Sequence, residues 1–289
     1  MERKYMKNRF TNPIFFDSGA HGLYEEHIAG KGHKYGYSWY ATKDFTEYLD
    51  SYAAFLKENP KIKTYANVDV IFNPQLTWKS QQYLEKEHGL SPIPVIHSGT
   101  DKKWLLKYLD EGYDYIALGG LGQESQLHYI NWADNMFDII CDTPDRKPCV
   151  KNHGFAVTSF PLMRRYPWFS VDSTTWMTSA IYGQVIIPAL KNNQWDYTNP
   201  FHIIRLSNKT SKKSKPTKGV IQIVERYFKE KGFIYGSSDE KTGEVIVKGL
   251  INDIEIRAHL NAMYFIDFCD HLPKWPWSFH RNHKKLIDL

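Results

Sequence analysis

The chain has 289 residues, of which 42% are hydrophobic and 24% are charged, so it holds enough apolar material for a large folded core. This composition excludes a globally disordered protein, and the net charge of +5 suits a polyanionic partner without requiring one. The 3 cysteines are too few for a disulfide framework, which favours a reducing compartment.

The N-terminal residues MERKYMKNRF carry charges with no apolar segment behind them. No apolar run in the chain reaches the roughly 20 residues that span a bilayer. We therefore expect a cytoplasmic protein without membrane contact. Aromatic residues make up 15% of the chain, which fits either a bulky core or a surface that stacks on flat ligands.

Short apolar runs alternate with segments of helical period, which is the pattern of parallel βα units. The runs predicted as strands are, in chain order, 13–16, 62–70, 94–97, 113–118, 155–158 and 168–172. A polar, Gly-rich segment follows the first run and extends to about residue 40. Helices are predicted near 44–56, 78–87, 101–109 and 124–140, with Asp44 and Asp101 as N-caps.

The pattern weakens in the last third of the chain. Two runs, 184–190 and 202–206, are predicted as the last strands, although no helix is predicted between them. Residues 208–219 include five lysines and no apolar residue, which indicates a mobile loop, and two helices are predicted after it. We therefore predict an α/β protein with a TIM-type (β/α)8 barrel, regular or irregular, at 1–207 and a helical, Lys-rich C-terminal extension packed on it at 208–289.

Polar residues and glycines stand at the ends of the predicted strands: Asp17, Asp69, His97, Gly119, Gly120, Thr158 and Asp172. In a parallel barrel these ends face one mouth, where such barrels place their active sites. Taken singly, most members have a structural explanation. Asp17 and Asp172 precede Ser, as in an ordinary turn, and a lone histidine or a glycine pair fits a core or a turn. Asp69 is harder to explain as a turn because it interrupts an apolar run, and the joint placement favours a site.

Six segments in this order resemble the tRNA-guanine transglycosylase superfamily, and within it the shorter, phage-type DpdA paralogues that place 7-deazaguanine bases in DNA. The segments are DSGA (17–20), NVDV (67–70), VIHSG (95–99), YIALGGLG (115–122), GFAVTS (154–159) and SVDS (170–173). The resemblance covers about residues 13–176, and ALGGLG and DSGA are its more specific pieces. It implies a pentosyltransferase that exchanges guanine in a nucleic acid for a free 7-deazaguanine base.

The resemblance also implies a role for each matched residue. Asp172 is similar to the nucleophile that attacks C1′ of a guanosine and holds the sugar as an ester. Asp17 is similar to the acid/base carboxylate that manages the proton of the departing or incoming base. Asp69 is similar to the carboxylate that reads N1 and the exocyclic amine of the base. The other implied base-binding residues are Ser18, His97, Gly119, Gly120 and Leu121.

These roles agree with the chemistry of a glycosidic bond. The bond breaks through an oxocarbenium-like state, which one carboxylate stabilises and traps while a second handles the proton. An ionised Asp69 matches adjacent N–H donors, and glycine backbone can donate to a carbonyl with no side chain in the way.

The sequence departs from the family pattern in three places. His97 stands where the tRNA enzymes usually carry Gln, and the DSG motif lacks the aromatic residue that commonly packs against the base, so Tyr24, Phe72 or Phe155 would have to stack instead. The family's Cys-x-Cys-x2-Cys zinc site is absent. Two looser sets of possible ligands remain, and neither leads us to predict a metal or cofactor: Cys141, Cys149 and His153, and Cys269, His271, His280 and His283.

Binding to nucleic acid requires cations near the reacting nucleotide. Arg164 and Arg165 shortly precede Asp172, and the lysines of the polar loop, among them Lys212, Lys213 and Lys215, extend the predicted contact or form an ordinary solvated loop. The target nucleotide would be flipped out or single-stranded, because its C1′ is hidden in a duplex. We predict DNA as the partner. The alternatives are a tRNA-guanine exchange enzyme, a non-catalytic nucleic-acid-binding barrel and a small-sugar hydrolase.

Overall fold

The structure, a computed structural model, describes residues 15–29, 36–120, 125–206, 218–239 and 241–281, with the backbone alone at 218–220. The described chain forms two compact units. The first unit holds the residues up to Ala156, the segment Pro167–Val171 and the tail from Pro276. The second unit holds Val157–Tyr166 and Asp172–Trp275.

The first unit is built from short strands that alternate with helices. Its strands are β1 (Phe15–Phe16), β2 (Thr64–Tyr65), β3 (Val95–His97), β4 (Tyr115–Gly119), β5 (Lys151–Gly154) and β6 (Ser170–Val171). Its α-helices are α1 (Ala20–Tyr24), α2 (Lys43–Glu58), α3 (Pro74–Lys86), α4 (Lys103–Asp110) and α5 (Gln126–Ile140). A π-helix at Glu25–Ala29 and a 3₁₀ helix at Gly36–Ala41 lie between α1 and α2.

The strands of the first unit pair in parallel and in sequence order. A four-stranded sheet runs β3-β4-β5-β6, and β1 pairs with β2. A parallel bridge between Ala66 and Ile93 joins the two sets just beyond β2 and before β3. Helices connect successive strands, as parallel pairing requires. The predicted α/β class with a parallel sheet is therefore confirmed.

This sheet is strongly curled. Phe15 on β1 stacks on His153 on β5, with ring centroids 4.0 Å apart and planes within 11°. In a flat sheet, four strand spacings would separate these two strands by about 19 Å. Stacking at van der Waals distance therefore requires the sheet to bend round so that both side chains meet inside it. Within the described ranges no strand pairing closes the sheet into a complete barrel.

Two apolar clusters stabilise the first unit. One lies inside the curled sheet, where Ala66, Ile93, Val95 and Ala117 pack together with Phe15, Tyr115 and Phe155. The other lies between the strands and the early helices, where it includes Trp39, Phe45, Leu49, Tyr52, Leu56, Val68, Val70 and Leu84. The α2 residues in this cluster recur with the helical period expected from the sequence.

The second unit mixes helices with antiparallel hairpins. Its helices are α6 (Phe160–Arg165), α7 (Thr175–Ile181), α8 (Lys218–Glu230) and α9 (Ile254–Asp270). Its strands are β7 (Gln184–Ile187), β8 (Ala189–Lys191), β9 (Gln194–Asp196), β10 (His202–Arg205), β11 (Ser237–Ser238) and β12 (Val245–Val247). Buried side chains such as Val185, Val224 and Leu260 join β7, α8 and α9 into one core.

Buried polar side chains tie the second unit together at α9. Arg257 donates from Nε to the carbonyl of Ala180 at 2.8 Å and from Nη1 to that of Leu250 at 2.7 Å. Asn261 accepts from the backbone N–H of Ile186 at 2.7 Å and donates to the carbonyl of Trp176 at 2.9 Å. These bonds tie α9 to backbone groups of α7, β7 and Leu250.

The predicted strand at 155–158 is wrong, and in two other segments the structure adds pairing or helices that the sequence did not predict. Residues 155–158 form a turn and coil, and the strand is the polar segment Lys151–Gly154 directly before them. The runs at 184–190 and 202–206 contain β7 and β10, which pair antiparallel with each other and do not extend the parallel sheet. The polar segment after β1 is largely helical, with α1, the π-helix and the 3₁₀ helix within it.

The physical reasons differ between these segments. Strand β5 reads Lys-Asn-His-Gly, so the apolar alternation that indicates a strand is absent, and only pairing with β4 and β6 fixes it. A hairpin, β8 paired antiparallel with β9, occupies the connection between β7 and β10, where no helix was predicted. Asp44 is also not the N-cap of α2. Thr42 occupies that position, and Asp44 lies in the first helical turn.

Both compact units are discontinuous in the chain, since the first resumes at Pro167–Val171 and again at Pro276, and the second resumes at Asp172. No helix in the described ranges is both long and apolar enough to cross a membrane.

Candidate functional site

A buried imidazole and a buried carboxylate meet beyond the ends of β2 and β3. The Nε2 atom of His97 lies 2.9 Å from Oδ2 of Asp69. His97 and Asp69 are 7% and 5% exposed, respectively. A buried carboxylate is costly unless it is paired, and His97, the last residue of β3, supplies the partner. Two of the residues that the sequence assigned to base binding therefore form one contact.

Helix α3 holds the Asp69 segment in place, although residues 67–70 lie outside the sheet. The hydroxyl of Ser80 donates to the carbonyl of Val68 at 2.6 Å, and the backbone N–H of Val70 donates to the hydroxyl of Thr77 at 2.9 Å. Asn67 donates to the carbonyl of Thr77 at 3.0 Å. These buried side chains replace the missing sheet hydrogen bonds on both sides of Asp69. The sequence analysis did not identify them, because Thr and Ser in a helix usually indicate an exposed surface.

The glycine pair at the end of β4 lies beside this contact. Gly119 is paired in register with His97, and a Cβ at Gly119 would lie 3.5 Å from the imidazole ring. Gly120 has a φ of +96°, and a Cβ there would lie 2.8 Å from the backbone nitrogen of Ser98. Any other residue at 120 would be strained and would collide with backbone. Two segments of the chain approach closely here, and the backbone N–H of Ser98 donates to the carbonyl of Gly119 at 2.9 Å beside His97.

The DSG motif begins α1 next to the same region. Gly19 has a φ of +76°, and a Cβ there would lie 2.8 Å from the hydroxyl of Tyr48. That hydroxyl donates to the carbonyl of Ser18 at 2.6 Å. Glycine is therefore required by both backbone conformation and space. Ser18 is buried, whereas Asp17 is exposed to solvent.

Asp17 and Asp69 both act on the pKa of one tyrosine in the first unit, Tyr52. Burial raises the pKa of Tyr52, and the charges of Asp17 and Asp69 both raise it further. Burial also raises the pKa of Tyr48, with Asp17 as the second cause. The Tyr52 hydroxyl is fixed by its donation to the carbonyl of Ala66 at 2.8 Å. The two acids therefore have different surroundings, one exposed and one buried.

Two buried hydroxyls in this region have no hydrogen-bond partner within the described chain, those of Ser18 and Tyr40. Ser18 is 3% exposed and Tyr40 is 5% exposed. Burial raises the pKa of Tyr40, and the negative charge of Asp69 is the second cause. Such groups are uncommon in native proteins, because each costs about 1–3 kcal/mol.

The aromatic candidates for stacking differ in their environment. Phe155 packs inside the sheet, with its ring centroid 4.7 Å from that of His153 and 5.6 Å from that of Phe15. Phe72 is 37% exposed, and its ring centroid lies 6.0 Å from that of His97 and 5.9 Å from that of Tyr24. Phe72 also has a φ of +60°, an unusual conformation for a bulky residue. Phe72 is the aromatic side chain that is both next to the buried pair and accessible.

Asp172 belongs to the second unit, directly after Val171 in the chain, and it is exposed. Three hydroxyls form a chain beside it in the second unit. Ser173 Oγ lies 2.7 Å from Thr175 Oγ1, which lies 2.9 Å from Thr158 Oγ1. The backbone N–H of Thr175 also donates to Ser173 Oγ at 3.0 Å, which orders the start of α7. An exposed carboxylate at this position carries little desolvation cost.

The predicted phosphate-binding residues are described in part. Arg164 is exposed, and its Nη1 lies 3.5 Å from the carbonyl oxygen of Tyr197. Arg165 lies with its guanidinium 5.7 Å from the ring centroid of Tyr166. The predicted residues Leu121, Lys212, Lys213 and Lys215 lie outside the described residues.

Within the described part of the chain, no group of three or more His, Cys, Asp or Glu side chains is arranged to hold a metal ion. Cys141 is buried, Cys149 and Cys269 are exposed, and all three are free thiols. Burial raises the pKa of Cys141 to about 12, so this thiol is not present as a thiolate at neutral pH.

The fold and the site define the class to which the first unit belongs, a mixed α/β structure with polar groups at the carboxyl ends of a curled parallel sheet. No family model, curated protein or solved structure matches this chain.

Proposed function

We propose that this protein is a nucleic-acid guanine transglycosylase that exchanges guanine in DNA for a 7-deazaguanine derivative. The observation that supports this proposal most directly is the buried Asp69–His97 contact next to the glycine pair. The order of the DSGA, ALGGLG and SVDS segments along the chain is its second support.

The chemistry around Asp69 suits the edge of guanine. One oxygen of Asp69 faces His97, and the carboxylate has further lone pairs for two adjacent N–H donors such as N1–H and the exocyclic amine. A guanine carbonyl needs a donor, which a backbone N–H near Gly120 can supply, while the Nε2 atom of His97 is directed at Asp69. Adenine presents the opposite pattern on this edge and would leave a buried carboxylate without its donors.

The proposed reaction has two displacements at C1′. A carboxylate oxygen of Asp172 forms a bond to C1′ while the bond from C1′ to N9 breaks, and the electron pair leaves with the base. Asp17 supplies a proton to the departing guanine. It then accepts the N9 proton of the incoming 7-deazaguanine base, whose nitrogen attacks C1′ and releases Asp172. The carboxylates thus divide the work into nucleophile and acid/base.

We further propose that the curled parallel sheet belongs to an irregular TIM-type (β/α)8 barrel. The Phe15–His153 stack supports strong curvature, and the polar strand ends lie where barrel active sites are found. Arg164 and Arg165 are proposed to bind phosphates that flank the reacting nucleotide, because arginine pairs well with phosphate oxygens.

The test is base exchange measured with DNA and unmodified tRNA in parallel. We would follow release of labelled guanine and incorporation of a labelled 7-deazaguanine base for the native protein, Asp172→Ala and Asp110→Ala. Asp110 is an exposed carboxylate at the end of α4 and serves as the matched control. Exchange into DNA that disappears in Asp172→Ala alone is the expected result.

Other outcomes would contradict parts of the proposal. Exchange into tRNA only would keep the chemistry and replace the substrate. Exchange that survives in Asp172→Ala would remove Asp172 as the nucleophile. An absence of exchange into both nucleic acids, from a protein that denaturation shows to be folded, would overturn the proposed function.

A further inference from the structure

Tyr40 is a buried tyrosine in the 3₁₀ helix Gly36–Ala41, which the sequence analysis did not connect with the site. Its ring packs edge-on against Phe45 at 4.9 Å and against Trp39 at 5.2 Å between centroids. It is 5% exposed, so its hydroxyl has little access to bulk water. The ring is therefore fixed by apolar contacts that leave the hydroxyl group unused.

The adjacent Tyr37 connects this helix to the Asp69 segment. The hydroxyl of Tyr37 donates to the carbonyl of Ile71, two residues after Asp69, at 2.9 Å. The Tyr37 and Tyr40 rings lie 6.3 Å apart between centroids. The 3₁₀ helix is thus tied to the segment that carries the buried carboxylate, and Tyr40 belongs to the same apolar cluster as Val68 and Val70, which flank Asp69.

The hydroxyl of Tyr40 has no hydrogen-bond partner within the ranges that the structure describes. Burial raises the pKa of Tyr40, and the charge of Asp69 raises it further, so the group stays a neutral phenol in the field of that carboxylate. A neutral phenol can donate one hydrogen bond and accept another. A buried hydroxyl donor without a partner is costly in the free protein, and that cost is removed once a ligand accepts its hydrogen bond.

We propose that the Tyr40 hydroxyl is a ligand-binding group of the Asp69–His97 site and donates to an acceptor atom of the bound molecule. The ligand class is a planar heterocycle that carries adjacent N–H donors for Asp69 and a ring-nitrogen or carbonyl acceptor for Tyr40. This inference rests on the proposed function only for the identity of the heterocycle, guanine or a 7-deazaguanine. Tyr40 would then contribute to specificity and not to bond breaking.

The variant Tyr40→Phe removes one oxygen atom and keeps the packed ring. Its matched control is Tyr129→Phe, because the hydroxyl of Tyr129 is also buried and without a hydrogen-bond partner in the described chain, and burial alone raises its pKa. We would measure affinity for guanine, 7-deazaguanine and adenine by calorimetry, together with the thermal midpoint and the base-exchange rate.

We expect Tyr40→Phe to bind guanine and 7-deazaguanine about two- to tenfold more weakly, the effect of one lost hydrogen bond. Its thermal midpoint should be unchanged or higher, because no bond of the free protein is lost. Tyr129→Phe should leave affinity unchanged. Exchange by Tyr40→Phe should show a raised KM for the free base with a nearly unchanged kcat.

Two results would overturn the inference alone: unchanged base affinity in Tyr40→Phe, or a thermal midpoint that falls with no specific loss of affinity. Base binding that depends on Tyr40 without any exchange would overturn the proposed function and support the inference. Failure of the native protein to bind any of the three bases would overturn both.

Discussion

His97 and Asp69 lie 2.9 Å apart, Nε2 to Oδ2, with both side chains almost fully buried at the carboxyl ends of neighbouring chain segments. Each residue is the explanation for the burial of the other, since neither polar group has bulk water as an alternative partner. The contact also fixes the orientation of the Asp69 carboxylate, and with it the directions from which a ligand can donate to its remaining lone pairs.

Replacement of His97 should separate the structural role of this contact from its role in recognition. His97→Leu leaves a buried carboxylate without the imidazole and should lower the free energy of unfolding by about 3 kcal/mol. His97→Gln keeps a donor near Asp69 and should cost about 1 kcal/mol or less. Urea denaturation measures both values. Equal stability of the two variants would show that Asp69 does not depend on His97.

Gly120→Ala should disrupt the site more than backbone strain alone predicts. Gly120 has a φ of +96° and a Cβ there would lie 2.8 Å from Ser98 N, whereas Gly112 has a φ of +84° with nothing within 4 Å of such a Cβ. Gly112→Ala should therefore lose about 1–2 kcal/mol of stability from the left-handed conformation. Gly120→Ala should lose more and should also lose base binding. Similar losses in urea denaturation, with base affinity retained in both variants, would contradict this.

Substitutions of Phe72 test whether its strained backbone conformation accompanies a role in base binding. Its φ of +60° disfavours every residue except glycine, so Phe72→Gly should be about 1 kcal/mol more stable than Phe72→Ala. Both variants lack the ring and should bind guanine at least about fivefold more weakly if the base stacks there. Phe72→Tyr should keep the affinity. Calorimetry and urea denaturation supply the measurements, and undiminished binding by Phe72→Ala would exclude stacking on this residue.

Charge reversal at Arg164 and Arg165 should weaken binding to single-stranded DNA and reduce the salt dependence of the association constant. Each lost phosphate contact lowers the slope of log K against log salt by about 0.7 for a single strand. Charge reversal of both Lys57 and Lys61, which are exposed, changes the net charge by the same amount and is the matched control. Fluorescence anisotropy over a salt series measures the slopes. Equal slopes for the two double variants would place the phosphate contacts on other residues.

The alternation of apolar runs and helical periods predicted most of the parallel strands, because burial on one face imposes a period that is readable in one sequence. The runs at 94–97 and 113–118 correspond to β3 and β4 to within one or two residues. The apolar pattern did not predict strand β5, because its residues, Lys151–Gly154, are polar. Only pairing with β4 and β6 makes them a strand.

Part of the candidate site was also readable. Asp69 and His97 were chosen because each ends or interrupts an apolar run, and the structure places them in contact. Tyr40 and Phe72 show the limit of this approach. A tyrosine in a polar segment gives no sign that its hydroxyl will be buried without a partner, and a positive φ at a phenylalanine has no sequence signature.

The sequence by itself determined the α/β class and the apolar faces of the helices, because these follow from local periodicity. The tertiary structure alone decided the curl of the sheet, the antiparallel pairing of β7 with β10 and the meeting of Asp69 with His97. Those features depend on which distant segments pack together, and the free energy of that packing is shared among residues that no single stretch of sequence contains.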